Sequence, residues 1–368
     1  MGRSKKNNQL KMKLQKQIST HVESLVEIKK TERLWHFPFL AGICVGLCLF
    51  IGWYLGRPAY GNLSSIGALV ILYFTHASLS KRMIHLCVCA FGFSLAFALA
   101  YIFSFNAFLS AVALGFIAFL SHFVTSWFDI PAPRNFFFIM VAAVATSIPF
   151  EVEAIPLNVG LVTMGAMLSV LLAFFYSVFI AKRVVEPNFR RKLKKKRYTH
   201  IVESLIIGFA MFAGLLIGNL LELKSAYWIP VSALAILQGK DLFHAWQRNL
   251  HRIFGTFIGI GLTWLMLASE PSGLSLVFLI AGLQFVVEML VVRNYVLAAV
   301  FITPLTIFLA ENSGGIAINV NDLMATRLLD TVIGSLIGVL AGWLLHHGTL
   351  VSNLERKIRS TTILIKRK

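Results

Sequence analysis

The amino-acid sequence predicts an all-α integral membrane protein with about 12 transmembrane helices, arranged as two six-helix halves that form a pseudo-repeat. Hydrophobic residues make up 57% of the 368 residues and charged residues 14%, whereas soluble domains carry about 25% charged residues. Apolar stretches long enough to cross about 30 Å of hydrocarbon recur from Phe37 to the C-terminal region. Short strings of the first half also recur in the second half, which predicts the repeat.

The apolar stretches predict where the helices lie and how the chain is divided. The predicted spans are Phe37–Leu55, Gly61–Leu79, Met83–Phe105, Ala107–Trp127, Asn135–Phe150, Asn158–Ala181, Ile201–Leu220, Ser225–Leu237, Ile253–Ala268, Gly273–Leu290, Asn294–Ala310 and Ala325–His346. The resulting segments are a basic amphipathic N-terminal segment (1–36), a first six-helix half (37–181), a basic linker (182–200), a second six-helix half (201–346) and a basic tail (347–368).

Positive charge is concentrated outside the apolar stretches. The formal net charge is +18 at pH 7, and nearly all of it comes from the N-terminal segment, the linker and the tail. The positive-inside rule therefore predicts that these three segments, and with them the N- and C-termini, are cytoplasmic. Nucleic-acid binding is not expected, because no RNA-binding motif with interleaved aromatic residues is present.

The N-terminal segment does not read as a cleavable signal peptide. Its charged region is long, and the first apolar run begins only at Phe37. Leucine, isoleucine and valine recur in it at helical spacing among lysines, which predicts an amphipathic helix on an anionic cytoplasmic leaflet. A solvated, frayed helix is the alternative interpretation.

Two kinds of internal repeat are present. Ser65–Leu72 resembles Val231–Leu237, and Pro133–Phe136 resembles Val292–Tyr295, which supports two halves inserted in the same orientation. Within the second half, the block Arg252–Gly259 matches Arg327–Gly334, 75 residues further along. Three predicted helices separate these two blocks, so they enter the membrane from opposite faces, as in an inverted three-plus-three repeat.

Two arginines are the first candidates for a binding site. Arg252 and Arg327 each stand at or near the predicted start of an apolar helix, where the guanidinium adds to the positive end of the helix dipole and favours a carboxylate. For Arg252 the alternative is a snorkelling residue that fixes helix depth. Arg327 precedes Asp330 by one turn, and such a pair can simply neutralise itself. We expect both guanidinium groups to face a hydrated passage.

Other polar residues are candidates for the same path. Thr256 and Thr331 lie in the repeated blocks, where neighbouring glycines predict close helix packing and a threonine can bond across or back to the i−4 carbonyl. Arg293 and Asn294 begin a later helix of the second half. Trp228 is interpreted as an interface anchor, and a stacking platform for an aromatic ligand is the alternative.

Proton coupling would need an ionisable group near the membrane whose surroundings change. His76 and Glu203 are the candidates for this role. His122 and Glu288 complete the set of near-membrane ionisable residues that we considered.

Signatures of enzymes and cofactor sites were not found. The sequence contains no H-E-x-x-H, no P-loop, no G-x-S-x-G and no cysteine and histidine cluster at metal-ligand spacing. Its four cysteines lie inside apolar stretches, where small packing residues are expected. We therefore predict no enzyme activity, no cofactor, no metal site and no ATP-driven pumping by this chain alone.

Four blocks of the second half resemble the fusaric acid resistance protein-like family, whose membrane part is similar to aromatic acid exporters and plant aluminium-activated malate channels. They are Tyr227–Leu234, Arg252–Thr256, Asn294–Leu305 and Arg327–Gly334. The resemblance covers residues 200–346 and is faint in the first half. It implies a six-helix module used twice, an anion path where the modules meet, weak carboxylic acids as substrates, and basic residues matching Arg252 and Arg327 near that path. Many exporters of this family carry a large cytoplasmic domain, which the linker here does not provide.

The leading hypothesis is a secondary transporter in a bacterial inner membrane that exports small organic anions, driven by the proton or electrical gradient. A passive organic-anion channel is the second hypothesis. A membrane scaffold or envelope-assembly factor, holding partners through the basic segments, is the third. The expected partners are the organic anion, the lipid bilayer, a membrane-fusion or outer-membrane protein and further copies of the chain.

Overall fold

The computed structural model describes residues 31, 33–75, 77–179, 197–239, 241–312 and 320–366, and all regular structure within them is helical. The predicted N-terminal amphipathic helix, His76 and most of the basic linker lie outside the described residues. The helices are α1 (His36–Tyr54), α2 (Pro58–Ala68, continued by a 3-10 turn over Leu69–Tyr73), α3 (Leu79–Ile102), α4 (Ala107–Trp127), α5 (Phe136–Ala145), α6 (Ile155–Phe179), α7 (Arg197–Leu220), α8 (Trp228–Leu237), α9 (Leu242–Leu267), α10 (Leu274–Leu290), α11 (Tyr295–Asn312), α12 (Val320–His346) and α13 (Gly348–Lys366).

Seven of the described helices are long and apolar enough to cross a membrane, namely α1, α3, α4, α6, α7, α9 and α12. Their outer surfaces carry large apolar side chains such as Phe91, Met164, Phe257 and Leu336, which are 62% to 70% exposed. So much exposed apolar surface fits lipid rather than water. The predicted all-α membrane class is confirmed, whereas the number of crossings beyond seven stays a prediction because α5, α8, α10 and α11 are apolar but shorter.

Helices α5 and α8 are each about half as long as a helix that crosses a bilayer. Each has ten residues, or about 15 Å of helix, against about 30 Å of hydrocarbon. The predicted span Asn135–Phe150 was therefore too long. The helix ends at Ala145, and the hydroxyl of Thr146 donates to a carbonyl of the last turn at 2.6 Å, which satisfies a group left free at the helix end. The predicted span Gly61–Leu79 likewise ends early, at Tyr73.

Two predicted helix starts in the second half were wrong. α9 begins at Leu242 rather than Ile253, and Asp241 caps it by accepting a hydrogen bond from the His244 backbone N–H at 2.9 Å. α12 begins at Val320, five residues before the predicted start. The first turns of α9 mix apolar residues with His244, Gln247, Arg248 and Asn249, so their average hydropathy is too low to mark a membrane span although they are helical.

The helix contacts of the first half recur in the second half. α2 packs on α6 as α8 packs on α12, α3 contacts α5 and α6 as α9 contacts α11 and α12, and α1 contacts α2 as α7 contacts α8. The halves meet mainly through α4 on α7 and α1 on α10, and these two contacts are counterparts of one another. Helices α2 and α8 therefore occupy corresponding places in the two halves.

Glycines of the two repeated blocks bring two helix pairs into close contact. A Cβ on Gly255 of α9 would lie 2.9 Å from the carbonyl oxygen of Val296 on α11. A Cβ on Gly334 of α12 would lie 2.4 Å from the carbonyl oxygen of Ile229 on α8. These distances leave no room for a larger residue, so the glycines hold α9 against α11 and α12 against α8.

The predicted basic tail contains a helix, α13. It begins two residues after the last residue of α12 and packs on α7. The hydroxyl of Thr199 on α7 donates to the carboxylate of Glu355 on α13. Leu350 and Leu354 stay 38% and 43% exposed. A polar contact between α13 and α7, the first helix of the second half, thus holds the tail against that half.

Candidate functional site

One face of the short helix α8 is contacted by arginines from neighbouring helices. Trp228, Ser232 and Ala235 lie at positions i, i+4 and i+7 of α8, and such positions share one side of an α-helix. Each of the three meets the guanidinium of a different arginine. The three arginines, named the arginine ladder below, are Arg327, Arg252 and Arg248.

Arg327 on α12 is the rung of the ladder at the start of α8. Its guanidinium carbon lies 3.5 Å from the centroid of the Trp228 ring, where the face of an aromatic ring attracts a cation. The residue is 4% exposed. Within the described part of the chain, nothing accepts a hydrogen bond from its Nε or its Nη1. Arg327 therefore keeps donors available for a further acceptor.

Arg252 on α9 is the middle rung. Its Nη2 donates to the hydroxyl of Ser232 at 3.1 Å, and its Nη1 donates to the hydroxyl of Tyr295 at 3.3 Å. The residue is 4% exposed, and no described residue accepts from its Nε. Both partners are neutral hydroxyls, so they orient the guanidinium without cancelling its charge.

Arg248, one turn earlier on α9, is the rung at the end of α8. Its Nη1 donates to the carbonyl oxygen of Ala235 at 3.0 Å. Its guanidinium carbon lies 4.7 Å from the centroid of the Tyr295 ring. Tyr295 thus supports two rungs, with its ring against Arg248 and its hydroxyl on Arg252.

A small cavity lies beside Arg327. Its lining residues are Ser225, Tyr227, Trp228, Thr306, Ile307, Thr326 and Arg327. The cavity measures about 20 Å³, enough for about one water molecule and far below the roughly 300 Å³ of a small ligand pocket. This cavity is therefore too small for an organic anion.

The predicted role of the helix dipole is wrong for both arginines of the repeated blocks. α9 begins ten residues before Arg252, and α12 begins seven residues before Arg327. The field of a helix end acts within its first turn, so it adds little at either position. The positive charge of the site comes from the arginine side chains themselves.

Two other predicted residues bond to the backbone. The Thr331 hydroxyl donates to the carbonyl oxygen of Arg327 at 2.8 Å. The Oδ1 of Asn294 accepts from the backbone N–H groups of Val296 and Leu297 at 2.9 and 3.1 Å, which caps the start of α11. These contacts shape the helices on either side of the ladder.

The remaining predicted residues lie in different places. Thr256 and Asp330 are buried, at 4% and 0% exposure, on the two helices that carry ladder arginines. Arg293 is half-buried just before α11. Glu203, on α7, lies 3.5 Å from His200. No cluster of three metal-ligating side chains was found among the described residues.

Sequence reasoning did not select Arg248, Ser232 or Tyr295 as site residues. Arg248 precedes the predicted start of its helix, so it read as part of a polar loop. Its spacing of four residues from Arg252 is the signal that could have identified it, because residues at i and i+4 share a helix face. Ser232 and Tyr295 become functional candidates only through contacts between helices.

Comparison with known proteins relates the second half to one family. Residues 210–341 match the family model described as fusaric acid resistance protein-like, which confirms the resemblance over those residues and includes the whole arginine ladder. The uncharacterized membrane protein YvaC of Bacillus subtilis (strain 168) is 34% identical over 160 residues, which is 44% of this chain and 25% of that protein. The match thus spans about a quarter of the length of this curated relative. No solved structure matches the chain.

Proposed function

We propose that this chain is a secondary transporter that exports small organic anions, such as aromatic or other weak carboxylic acids, across the inner membrane. The family match over residues 210–341 supports a transport-related membrane function. The apolar helices long enough to cross a bilayer support the same general function. The arginine ladder is the observation that carries the choice of an anion as the substrate.

The ladder concentrates positive charge where water is scarce. Arg252 and Arg327 are each 4% exposed, and adjacent turns of the helix that they contact are about 5.4 Å apart. Two unit charges at that spacing repel by about 3 kcal/mol at an effective dielectric constant of about 20. A bound anion would relieve this repulsion and accept from the free N–H groups, so the site favours anions over cations and neutral solutes.

A carboxylate on an apolar body fits the groups around Arg327. A guanidinium donates strong, charge-assisted hydrogen bonds to a carboxylate, and Arg327 has an Nε and an Nη1 without an acceptor in the described chain. Tyr227, Trp228 and Ile307 line the adjoining cavity and supply aromatic and aliphatic surface. These features favour aromatic or other hydrophobic acids over small hydrated anions.

The closed cavity favours a carrier that opens to one side at a time. A cavity of about 20 Å³ does not admit an organic anion, so binding requires a conformational change. The half-length helices α5 and α8 fit the discontinuous helices that surround many transporter sites, and recurrent packing of two halves is common in such proteins. A gated channel would use the same ladder, and step-like currents in bilayer recordings, far above carrier rates, would identify it.

Uptake of benzoate into inside-out membrane vesicles tests the proposal. Vesicles with the native protein are expected to accumulate benzoate above vesicles without it. Arg252→Ala and Arg327→Ala should each reduce the initial rate at least about tenfold, because a hydrogen bond to a charged group contributes about 1.5–3 kcal/mol. Arg57→Ala is the matched control, since Arg57 is exposed just before α2 in the first half.

Two outcomes would contradict this assignment. If native vesicles never accumulate benzoate or a related acid, the transport proposal fails. If Arg57→Ala lowers the rate as much as the ladder variants, the ladder is not the path. A scaffold function would instead show a phenotype that survives both ladder substitutions and is lost when residues 190–197 are deleted.

A further inference from the structure

Asp330 is a buried acidic residue that the proposed anion path does not use. It lies on α12 three residues after Arg327 and is 0% exposed. No group among the described residues donates a hydrogen bond to either of its carboxyl oxygens. An isolated carboxylate sealed from water is strongly destabilised, whereas a neutral carboxylic acid is penalised far less.

Arg327, the residue placed to pair with Asp330, contacts a different residue in this structure. Residues at i and i+3 of a helix are close enough to pair, so the Arg327 guanidinium can reach Asp330. In this structure that guanidinium instead lies against the Trp228 ring, 3.5 Å from its centroid. The Arg327 guanidinium can therefore pair with either of two carboxylates, that of Asp330 or that of a bound substrate.

We propose that Asp330 is a proton-binding site whose carboxylate competes with the substrate anion for Arg327. When Arg327 lies on Trp228 and holds the anion, a proton from the aqueous side forms an O–H bond at Asp330. When the anion leaves, that proton returns to water and the ionised Asp330 pairs with Arg327. This inference rests on the proposed transport function and adds proton linkage to it. The anion and the proton would cross together, so the outward gradient of the anion, and not the inward proton gradient, would drive export.

Among the residues whose side chains the structure describes, few other ionisable groups face this part of α12. Those that act on Arg327 besides Asp330 are Arg252 on α9, Tyr227 before α8 and Tyr295 on α11. Helix α7, which also packs on α12, carries no ionisable side chain after Glu203. Asp330 is thus the acidic group placed to exchange a proton as the charge on Arg327 is taken up or released.

The inference predicts a direction for the pH dependence. Because the anion and the proton are bound together, anion affinity should rise as the pH falls, by up to about tenfold per pH unit while Asp330 titrates. The Asp330→Asn variant cannot take up the proton and leaves Arg327 without its competing carboxylate. Its anion affinity should therefore be independent of pH and close to that of the native protein at low pH.

Calorimetric titration of the purified full-length chain with benzoate, from about pH 5 to about pH 8 in buffers of different ionisation enthalpy, measures the linked protons. The native protein should take up as much as about one proton per benzoate bound, and Asp330→Asn should take up none. Glu153→Gln is the control, because Glu153 is an exposed residue just before α6 in the first half, and it should behave as the native protein does.

Native pH dependence in Asp330→Asn would overturn the inference while leaving the proposed function intact. If benzoate and related acids do not bind the native protein at all, the proposed function fails. Infrared spectroscopy then tests separately whether Asp330 binds a proton. A carboxylic-acid band that titrates in the native protein and is lost in Asp330→Asn supports it, and identical spectra refute it. Should Asp330→Asn fail to fold, Asp330→Glu must shift that titrating band, and an unshifted band also refutes the inference.

Discussion

The two halves of the molecule pack in corresponding ways but are filled by different chemistry. In the first half, the rings of Tyr73, Phe93 and Phe138 pack edge to face, with centroids 5.0 to 5.7 Å apart. In the second half, the face of α8 meets three arginines. One packing pattern thus supports an apolar and a charged interior, which shows that the architecture alone does not assign the function.

Each half also contains an arginine that is 4% exposed, and their surroundings differ. Arg82 of α3 donates to the carbonyl oxygens of Thr75 and Ala77, both at 2.7 Å. Arg327 of α12 has two nitrogens without an acceptor among the described residues. A buried arginine satisfied by backbone carbonyls supports the fold, whereas one with open donors is suited to bind something else.

The largest effect is expected from removing two rungs of the ladder at once. The double variant Arg252→Ala with Arg327→Ala should reduce benzoate uptake into vesicles at least about 100-fold, because two charge-assisted interactions are lost. Tyr73→Phe, in the interior of the first half, should leave the uptake rate within about twofold. Native-like transport by the double variant would show that the charged interior is as structural as the aromatic one.

Substitutions of Arg82 and Arg327 should affect stability in opposite directions. Arg82→Met leaves two carbonyls unpaired and should lower the free energy of unfolding by about 2–4 kcal/mol. At low pH, where the proposal has Asp330 neutral, Arg327→Met removes a buried charge with incomplete partners and should raise the free energy of unfolding by about 1 kcal/mol. Thermal unfolding of the purified protein measures both, and equal losses would mean that Arg327 is as fully bonded as Arg82.

The aromatic rings under these arginines sharpen the comparison further. Trp228→Leu should weaken benzoate binding about tenfold, since a desolvated cation–π contact is worth roughly 1–2 kcal/mol, while Trp228→Phe should keep most of the affinity. Phe74, whose ring lies 4.4 Å from the guanidinium of Arg82, is the counterpart. Phe74→Leu should leave binding unchanged in the same calorimetric assay, and a matching loss would remove the distinction.

The smallest effect is expected at Tyr295. Tyr295→Phe removes the hydroxyl that accepts from Arg252 but keeps the ring against Arg248, so benzoate affinity should fall only about two- to tenfold. Tyr101→Phe removes a hydroxyl of the first half that donates to the Pro149 carbonyl at 3.0 Å. Binding measurements should find no change for this control, and an equal change would argue against a special role of Tyr295.

Segments that face lipid could be located well from the sequence. The predicted span Ala107–Trp127 coincides with α4, which Asn106 caps by accepting from two backbone N–H groups. The span predicted from Ile253 was wrong by eleven residues at its start, because hydropathy measures transfer to lipid and not helix formation. A helical turn of mixed polarity outside the apolar stretch reads the same as a loop.

The candidate site could be predicted only in part. The repeated blocks pointed to Arg252 and Arg327 because their strings recur, and the structure brings both onto α8. Ser232 and Tyr295 could not be predicted in this way, since their role depends on contacts among four helices. The open donors of Arg327 are likewise a property of the assembled structure.

The glycine contacts constrain how the ladder can be taken apart. Gly334 holds α12 close to α8, so Arg327, Trp228 and Ser232 belong to one closely packed pair of helices. Gly255 holds α9 close to α11, so Arg248, Arg252 and Tyr295 belong to another. In a motion that preserves both contacts, Arg248 and Arg252 would move together, while Arg327 would stay with Trp228.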